Sequence, residues 1–304
     1  MNFGQNYGLV LRSVIFAVMS MVAIVAHAEE VVEPKPVLPL AARHANWIFS
    51  GAVSNESGET YEYFFQAKRN EDTVHAVVSL IDAQSKTVIF MQTADTQLTG
   101  PETDNWVIGD AFLRYNTINS SWVFGLKKES QIGFNFKVDM LQQSDKDPRS
   151  QNLQRGVKMM ITQTGQVNGH VQLKGHEAAQ FVSGNHAWFR QILLNKVPSQ
   201  SSDQLHGLFC RFNDGGGLYS LKIVGKDTTR ETFSGLYNAK GASTAISQFI
   251  YVDHLGSGPW RVRVPYPKLQ FEFSNLLEDD AVVLGFINQK ETPGFCVINK
   301  ESLI

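Results

Sequence analysis

The chain has 304 residues, 43% hydrophobic and 18% charged, and its 27 Lys and Arg nearly balance 29 Asp and Glu. A domain usually takes about 100–200 residues, so two domains are expected, each with enough chain for its own core. A net charge of −2 excludes the concentrated basic surface that nucleic acids and anionic membranes require, and 20 Phe among so few charges exclude a disordered chain.

Residues 1–28 have the pattern of a signal peptide. Arg12 precedes an apolar run, Val14–Val25, broken only by Ser20. Ala26-His27-Ala28 then forms a small-x-small cleavage site ahead of Glu29 and Glu30. The run is shorter than the ~20 apolar residues of a spanning helix, and no later stretch approaches that length. A soluble protein exported to the periplasm or beyond the cell is expected, cleaved after Ala28 and without stable membrane insertion. Residues 29–43 follow as an acidic, Pro-rich extended leader (Pro34, Pro36, Pro39).

From Trp47 onward the dominant period is two. In Ile132–Met140 the side chains Ile132, Phe134, Phe136, Val138 and Met140 alternate with polar or small residues, which places them on one strand face. Trp260–Val264 and Leu269–Phe273 repeat the pattern. Further strands are expected at Tyr61–Lys68, Val74–Ile81, Thr87–Gln92, Lys158–Thr162, Val167–Leu173, Gly207–Phe212, Leu218–Val224, Ile246–Val252 and Val282–Ile287. Turn residues punctuate them at Asn55–Gly58, Gly100-Pro101, Thr164-Gly165, Asn213–Gly217, Ala239–Gly241 and Gly256–Pro259. Only Leu38–Ala45 and Leu276–Ala281 offer short helical stretches. Many short strands at close spacing predict an antiparallel all-β protein, a sandwich or barrel. A break between domains falls in Gln142–Arg155 or near Gly184.

Sharp catalytic motifs are absent: there is no G-x-S-x-G, no H-E-x-x-H and no C-x-x-C, and Gly215-Gly216-Gly217 is the turn of a hairpin. His170, His176, His186, His206 and His254 have no ligand spacing among them, so no metal and no cofactor is expected, although His170 and His186 on neighbouring strands could converge. Glu278-Asp279-Asp280 is a solvated turn by pattern rather than a carboxylate pair. Cys210 and Cys296 both lie in apolar strand contexts; one disulfide and two buried thiols are equally open readings.

The densest polar and aromatic segment is Phe181–Gln191. On a strand, His186, Trp188 and Arg190 share one face, and Ala187, Phe189 and Gln191 share the other. One face could line a pocket, or Arg190 could simply stack on Trp188.

That segment, followed by His206–Phe212 into Asn213-Asp214-Gly215, then Phe233–Gly241, then Trp260–Pro265, resembles the carotenoid 1,2-hydratase (hydroxyneurosporene synthase) and AttH-like family of lipocalin-like proteins. Upstream, Trp47–Gly51 and Gly58–Tyr63 resemble that family's opening strands. The resemblance implies two tandem lipocalin-like antiparallel β-barrels, here residues 44–184 and 185–304, and an apolar small-molecule partner such as a polyene, terpenoid or lipid. It also brings Trp47, Tyr63, Trp188, Gln191 and Trp260 forward as ligand contacts, and His186, Arg190 and His206 as candidate catalytic groups. Where the family commonly places an Asp after the Trp, this chain has Phe189, which can neither donate nor accept a proton. A binding protein is therefore the first expectation. A hydratase or cyclase/isomerase is the alternative, and a surface or host-interaction protein without a ligand is a third.

Overall fold

The computed structural model describes residues 40–99, 105–127, 132–140, 149–164, 166–175, 178–194, 203–226, 228–254, 256, 258–278 and 282–302. The signal peptide and most of the leader, together with His176, Asp279 and Asp280, lie outside them.

The first half supplies β1 (His44–Ser54), β2 (Thr60–Asn70), β3 (Thr73–Asp82), β4 (Thr87–Gln97), β5 (Asn105–Ile108), β6 (Ala111–Asn116) and β7 (Ser121–Lys127). It continues with β8 (Gly133–Asp139), β9 (Arg149–Asn152), β10 (Val157–Thr164), β11 (Val167–Gln172), β12 (Gln180–Gly184) and β13 (Ala187–Leu194). All pairings are antiparallel, in the order β4-β3-β2-β1-β12-β11-β8-β7-β6-β5. The two edges approach each other: Gln92 Nε2 donates to Asp110 at 3.1 Å, and a β-carbon on Gly109 would lie 3.0 Å from that of Ala94. The sheet is thus a nearly closed barrel. Next to Gly184, β13 pairs with β1 over Ala45–Ser50 and with β10 on its other side.

The period of two decides what fills this barrel. Trp47, Phe49 and Val53 of β1, Tyr63 and Phe65 of β2, and Phe134 and Phe136 of β8 all point inward. Phe49 stacks on Phe124 at 4.3 Å and on Phe189 at 4.9 Å, while Trp47 meets Trp106 edge-on at 4.9 Å. Each such ring removed from water contributes about 1.5–3 kcal/mol. Much of the aromatic excess is therefore core.

The second half supplies β14 (Gln204–Phe212), β15 (Gly217–Val224), β16 (Thr229–Tyr237), β17 (Ser243–Ala245) and β18 (Tyr251–His254). β19 (Trp260–Val264), β20 (Leu269–Phe273), β21 (Leu277–Glu278), β22 (Val282–Phe286) and β23 (Gly294–Ser302) complete it. The order β17-β16-β15-β14-β23-β22-β21 is joined to β18-β19-β20 by the Phe273–Ile287 bridge and by bonds such as Ser274 N to the Phe286 carbonyl, 2.8 Å. These strands wrap a second apolar core containing Phe271, Phe273, Val262 and Trp260. Cys210 and Cys296 are directly opposite in the β14–β23 register and are joined there as a disulfide.

Two expectations are corrected. Among the described residues neither stretch is helical: His44 and Ala45 open β1, and Leu277-Glu278 pairs with β22, so strand partners override weak local propensity there. Ile246–Val252 is not one strand. Ile246 and Ile250 are buried as anchors, but Ser247 Oγ accepts from the Phe249 amide and bends the chain between them, and pairing starts only at Tyr251.

Candidate ligand site between the barrels

On the strands where the two barrels meet, residues facing away from one interior pack against the outside of the other. Ile48 of β1, Phe64 of β2, Ile161 of β10 and Trp188 and Ile192 of β13 pack against Phe209, Tyr219, Leu221, Phe295 and Val297 of the second barrel. Strands buried on both faces lose their polar alternation, which is why Phe64-Phe65 and Leu208–Cys210 are continuous apolar runs.

Charged residues within those runs are the informative ones. Glu62 of β2 and Arg211 of β14 meet across the interface as a hydrogen-bonded ion pair, their side chains 5% and 8% exposed. Glu62 Oε2 has no hydrogen-bond partner. Burial pushes the Glu62 carboxyl above its ordinary range, and Arg211 opposes that shift. Deeper in the interface Asn299 Nδ2 donates to Gln66 Oε1 at 3.0 Å, and the Arg190 guanidinium sits 4.4 Å from the Phe209 ring.

At the Glu62–Arg211 end the two sheets diverge into a cleft of about 550 Å³. Ala52, Ala83, Phe286, Ile287 and Pro293 form its apolar wall; its polar groups include Glu62, Arg211, Lys86, His186, Asn185 and Asn213. His186 is held from behind: Gln163 Nε2 lies 3.2 Å from its Nδ1 and donates to the Gly215 carbonyl at 2.6 Å. Gly215 has φ +93°, and a β-carbon there would come within 2.7 Å of the imidazole, so glycine is required on both counts. The arrangement suits a molecule with an apolar body and a polar substituent, a few fixed polar groups setting its orientation.

The expected site residues scatter over four places. His186, Trp188 and Arg190 do share one face, and it is the interface face. His186 reaches the cleft; Trp188 is sealed against Tyr237 at 4.9 Å and Phe209 at 5.1 Å. Arg190 stacks on Phe209 rather than on Trp188. Trp47 and Tyr63 lie inside the first barrel, and Gln191 is on the same side of β13 as Phe189. Trp260 is in the second core, beneath Lys300 at 5.0 Å and against His254 at 4.5 Å. His206 is on the barrel-facing side of β14, at the end away from the cleft. His170 meets Phe181 on the outside of the first barrel, beside a second depression of about 530 Å³ that the exposed Arg114, Lys127, Asn135 and His170 and the half-buried Gln172 line. Among the described residues no group of three His, Cys, Asp or Glu could hold a metal ion.

Glu62 and Arg211 went unnoticed in the sequence, yet a signal was present. Each is a lone charge next to consecutive buried apolar residues, and a charge on a doubly buried strand needs a partner.

The fold and this cleft define a two-barrel, lipocalin-like protein with its polar groups gathered between the barrels. No family model matches the chain, and no curated protein does. Solved structures do. The chain is similar to a protein assigned as AttH from Nitrosomonas europaea, at 14% identity over 85% of this chain and 92% of that one, TM-score 0.56. It is similar to kievitone hydratase from Nectria haematococca, at 12% identity over 85% and 89%, TM-score 0.56. CghA, crystallised with Sch210972, follows at 10% identity over 86% and 89%, TM-score 0.50. Identities this low show the fold, and the fold is the one the sequence resemblance implied.

Proposed function

We propose that the protein is an exported binding protein that holds an amphipathic small molecule, a polyene, terpenoid or lipid-like compound with a polar substituent, in the inter-barrel cleft. The observation that carries this is the pairing of an apolar wall with a buried Glu62–Arg211 pair and His186 in one cleft, while stacked rings occupy the first barrel. The wall takes the apolar body; Arg211, Asn185 and Asn213 orient the polar end. The signal-peptide pattern supports a periplasmic or secreted location.

Extraction of the purified mature chain with organic solvent, followed by mass spectrometry, tests the reading. A co-purifying amphipathic compound, or uptake of a hydrophobic probe that is weakened in Arg211→Met, is expected. An empty protein that takes up no probe overturns it.

The second reading, a hydratase or isomerase, is favoured by one feature. Glu62 is a buried carboxyl displaced toward its protonated form at the edge of a cleft, which is the condition a general acid needs. Turnover of candidate polyenes that Glu62→Gln abolishes supports it, and turnover unchanged in that variant removes it.

A further inference from the structure

The end of the second barrel away from the cleft carries an arrangement that the binding cleft does not explain. In the antiparallel register His206 of β14 is directly opposite Lys222 of β15 on one side and Lys300 of β23 on the other. Directly opposed residues point to the same face, and that face is set by Leu208, Cys210, Leu218 and Ile298, which lie in the second core. Two lysines and a histidine therefore stand in one row at the open end of the barrel, the lysines flanking His206 from the neighbouring strands. Such a row concentrates positive potential that a bound anion would offset.

The protein itself compensates only in part. Lys222 donates to the Ile250 carbonyl and feels the Asp253 carboxylate, but Asp253 is already bonded to Arg263 at 2.7 Å. Lys300 is exposed and rests over the Trp260 ring, and no carboxylate pairs with it among the described residues. His206 Nε2 donates to Gln204 Oε1 at 3.1 Å, so Nδ1 becomes a donor to a second partner when the ring is protonated. We infer that this row binds a small oxyanion, the carboxylate or phosphate head of a soluble molecule, with Lys222 and Lys300 supplying charge and His206 a directed hydrogen bond. The site is five residues along β14 from Arg211, about 17 Å away, so it does not depend on the cleft.

The charges leave a mark on His206. Burial, then Lys300 and Lys222, hold its imidazole below the ordinary histidine range. An anion between the lysines cancels their contribution, and the His206 pKa must rise on binding. The groups facing it are Lys222, Lys300 and Asp253.

The test follows the His206 imidazole resonances of the full mature chain by NMR. Inorganic phosphate, acetate and octanoate are titrated at constant ionic strength, with chloride as the control. A saturable shift and a raised His206 pKa are expected with at least one oxyanion. Lys222→Gln and Lys300→Gln should each weaken binding roughly tenfold, as loss of one charge-assisted hydrogen bond implies. Phosphate alone would assign a phosphoryl head, and octanoate bound more tightly than acetate would assign a carboxylate on an apolar tail. No saturable shift with any of the three, or a shift that persists when both lysines are replaced, overturns the inference. A result here leaves the cleft reading untouched, because Arg211→Met retains the whole row.

Discussion

Removal of Arg211 takes away the cation that faces the buried Glu62 carboxyl. With side chains 5% and 8% exposed, the pair belongs to the buried class, where loss of one partner costs about 3–5 kcal/mol. For a chain of this size that corresponds to a fall in Tm of roughly 6–20 °C, at about 2–4 °C per kcal/mol. Arg211→Met and Glu62→Leu should each show it, whereas the double variant should return to within about 1–2 kcal/mol of the parent, because apolar replacement of a whole buried pair is nearly neutral. pH supplies a second check. Glu62 already has its carboxyl raised by burial, and loss of Arg211 removes the two influences that oppose the rise. A carboxyl with a raised folded pKa contributes stability that is present below its unfolded pKa and lost as pH rises through the folded value. The deficit of Arg211→Met must therefore be smaller at acid pH than at pH 8. Calorimetry of the parent, both single variants and the double variant across that range reads all of this. Single variants within 1 kcal/mol of the parent, or a deficit that grows on acidification, would refute the buried pair.

The remaining predictions test the packing around the site. Without reductant, the denatured protein should take up no thiol-alkylating reagent, and reduction should destabilise it by about 4–5 kcal/mol on the chain-entropy account, since the bridge closes 86 residues; two alkylated cysteines before reduction would refute the bridge. Phe189→Asp should lower stability by more than Phe189→Leu, because residue 189 stacks inside the first barrel on Phe49 and a carboxyl there has no partner. Equal melting points for those two variants would place residue 189 elsewhere. Gly217→Ala should cost about 1–3 kcal/mol, since its β-carbon would lie 2.9 Å from the Trp188 indole. A neutral outcome would mean that the interface is looser than described.

Fold class was legible in the sequence because it rests on period alone. Ile132–Met140, Trp260–Val264 and Leu269–Phe273 are strands within a residue of where alternation puts them. Alternation also identified which of residues 186–191 share a face. What it could not supply is which body lies beyond each face. Trp188 and Phe189 are equally aromatic neighbours, and only the sheet pairing shows that one is in the interface and the other inside the first barrel. β16, Thr229–Tyr237, carries Arg230 and Glu231 at its start and no clean alternation, so its pairing with β15 is a long-range fact. The Glu62–Arg211 pair is harder still. Its members are 149 residues apart, and nothing local in either strand names the other.

The position of the acid bears on what chemistry this chain can perform. A strand side chain one residue from Trp188 must point to the opposite face, so an Asp at position 189 would enter the first barrel, beside Phe49 and Trp122, and not the cleft that His186 reaches. The Phe found there completes the stacked interior. The buried carboxyl of this protein arrives instead from β2, and its cation from β14, so each barrel contributes half of the polar pair. The shared interface, with Trp188 packed against both Phe209 and Tyr237, is what fixes the Glu62–Arg211 geometry.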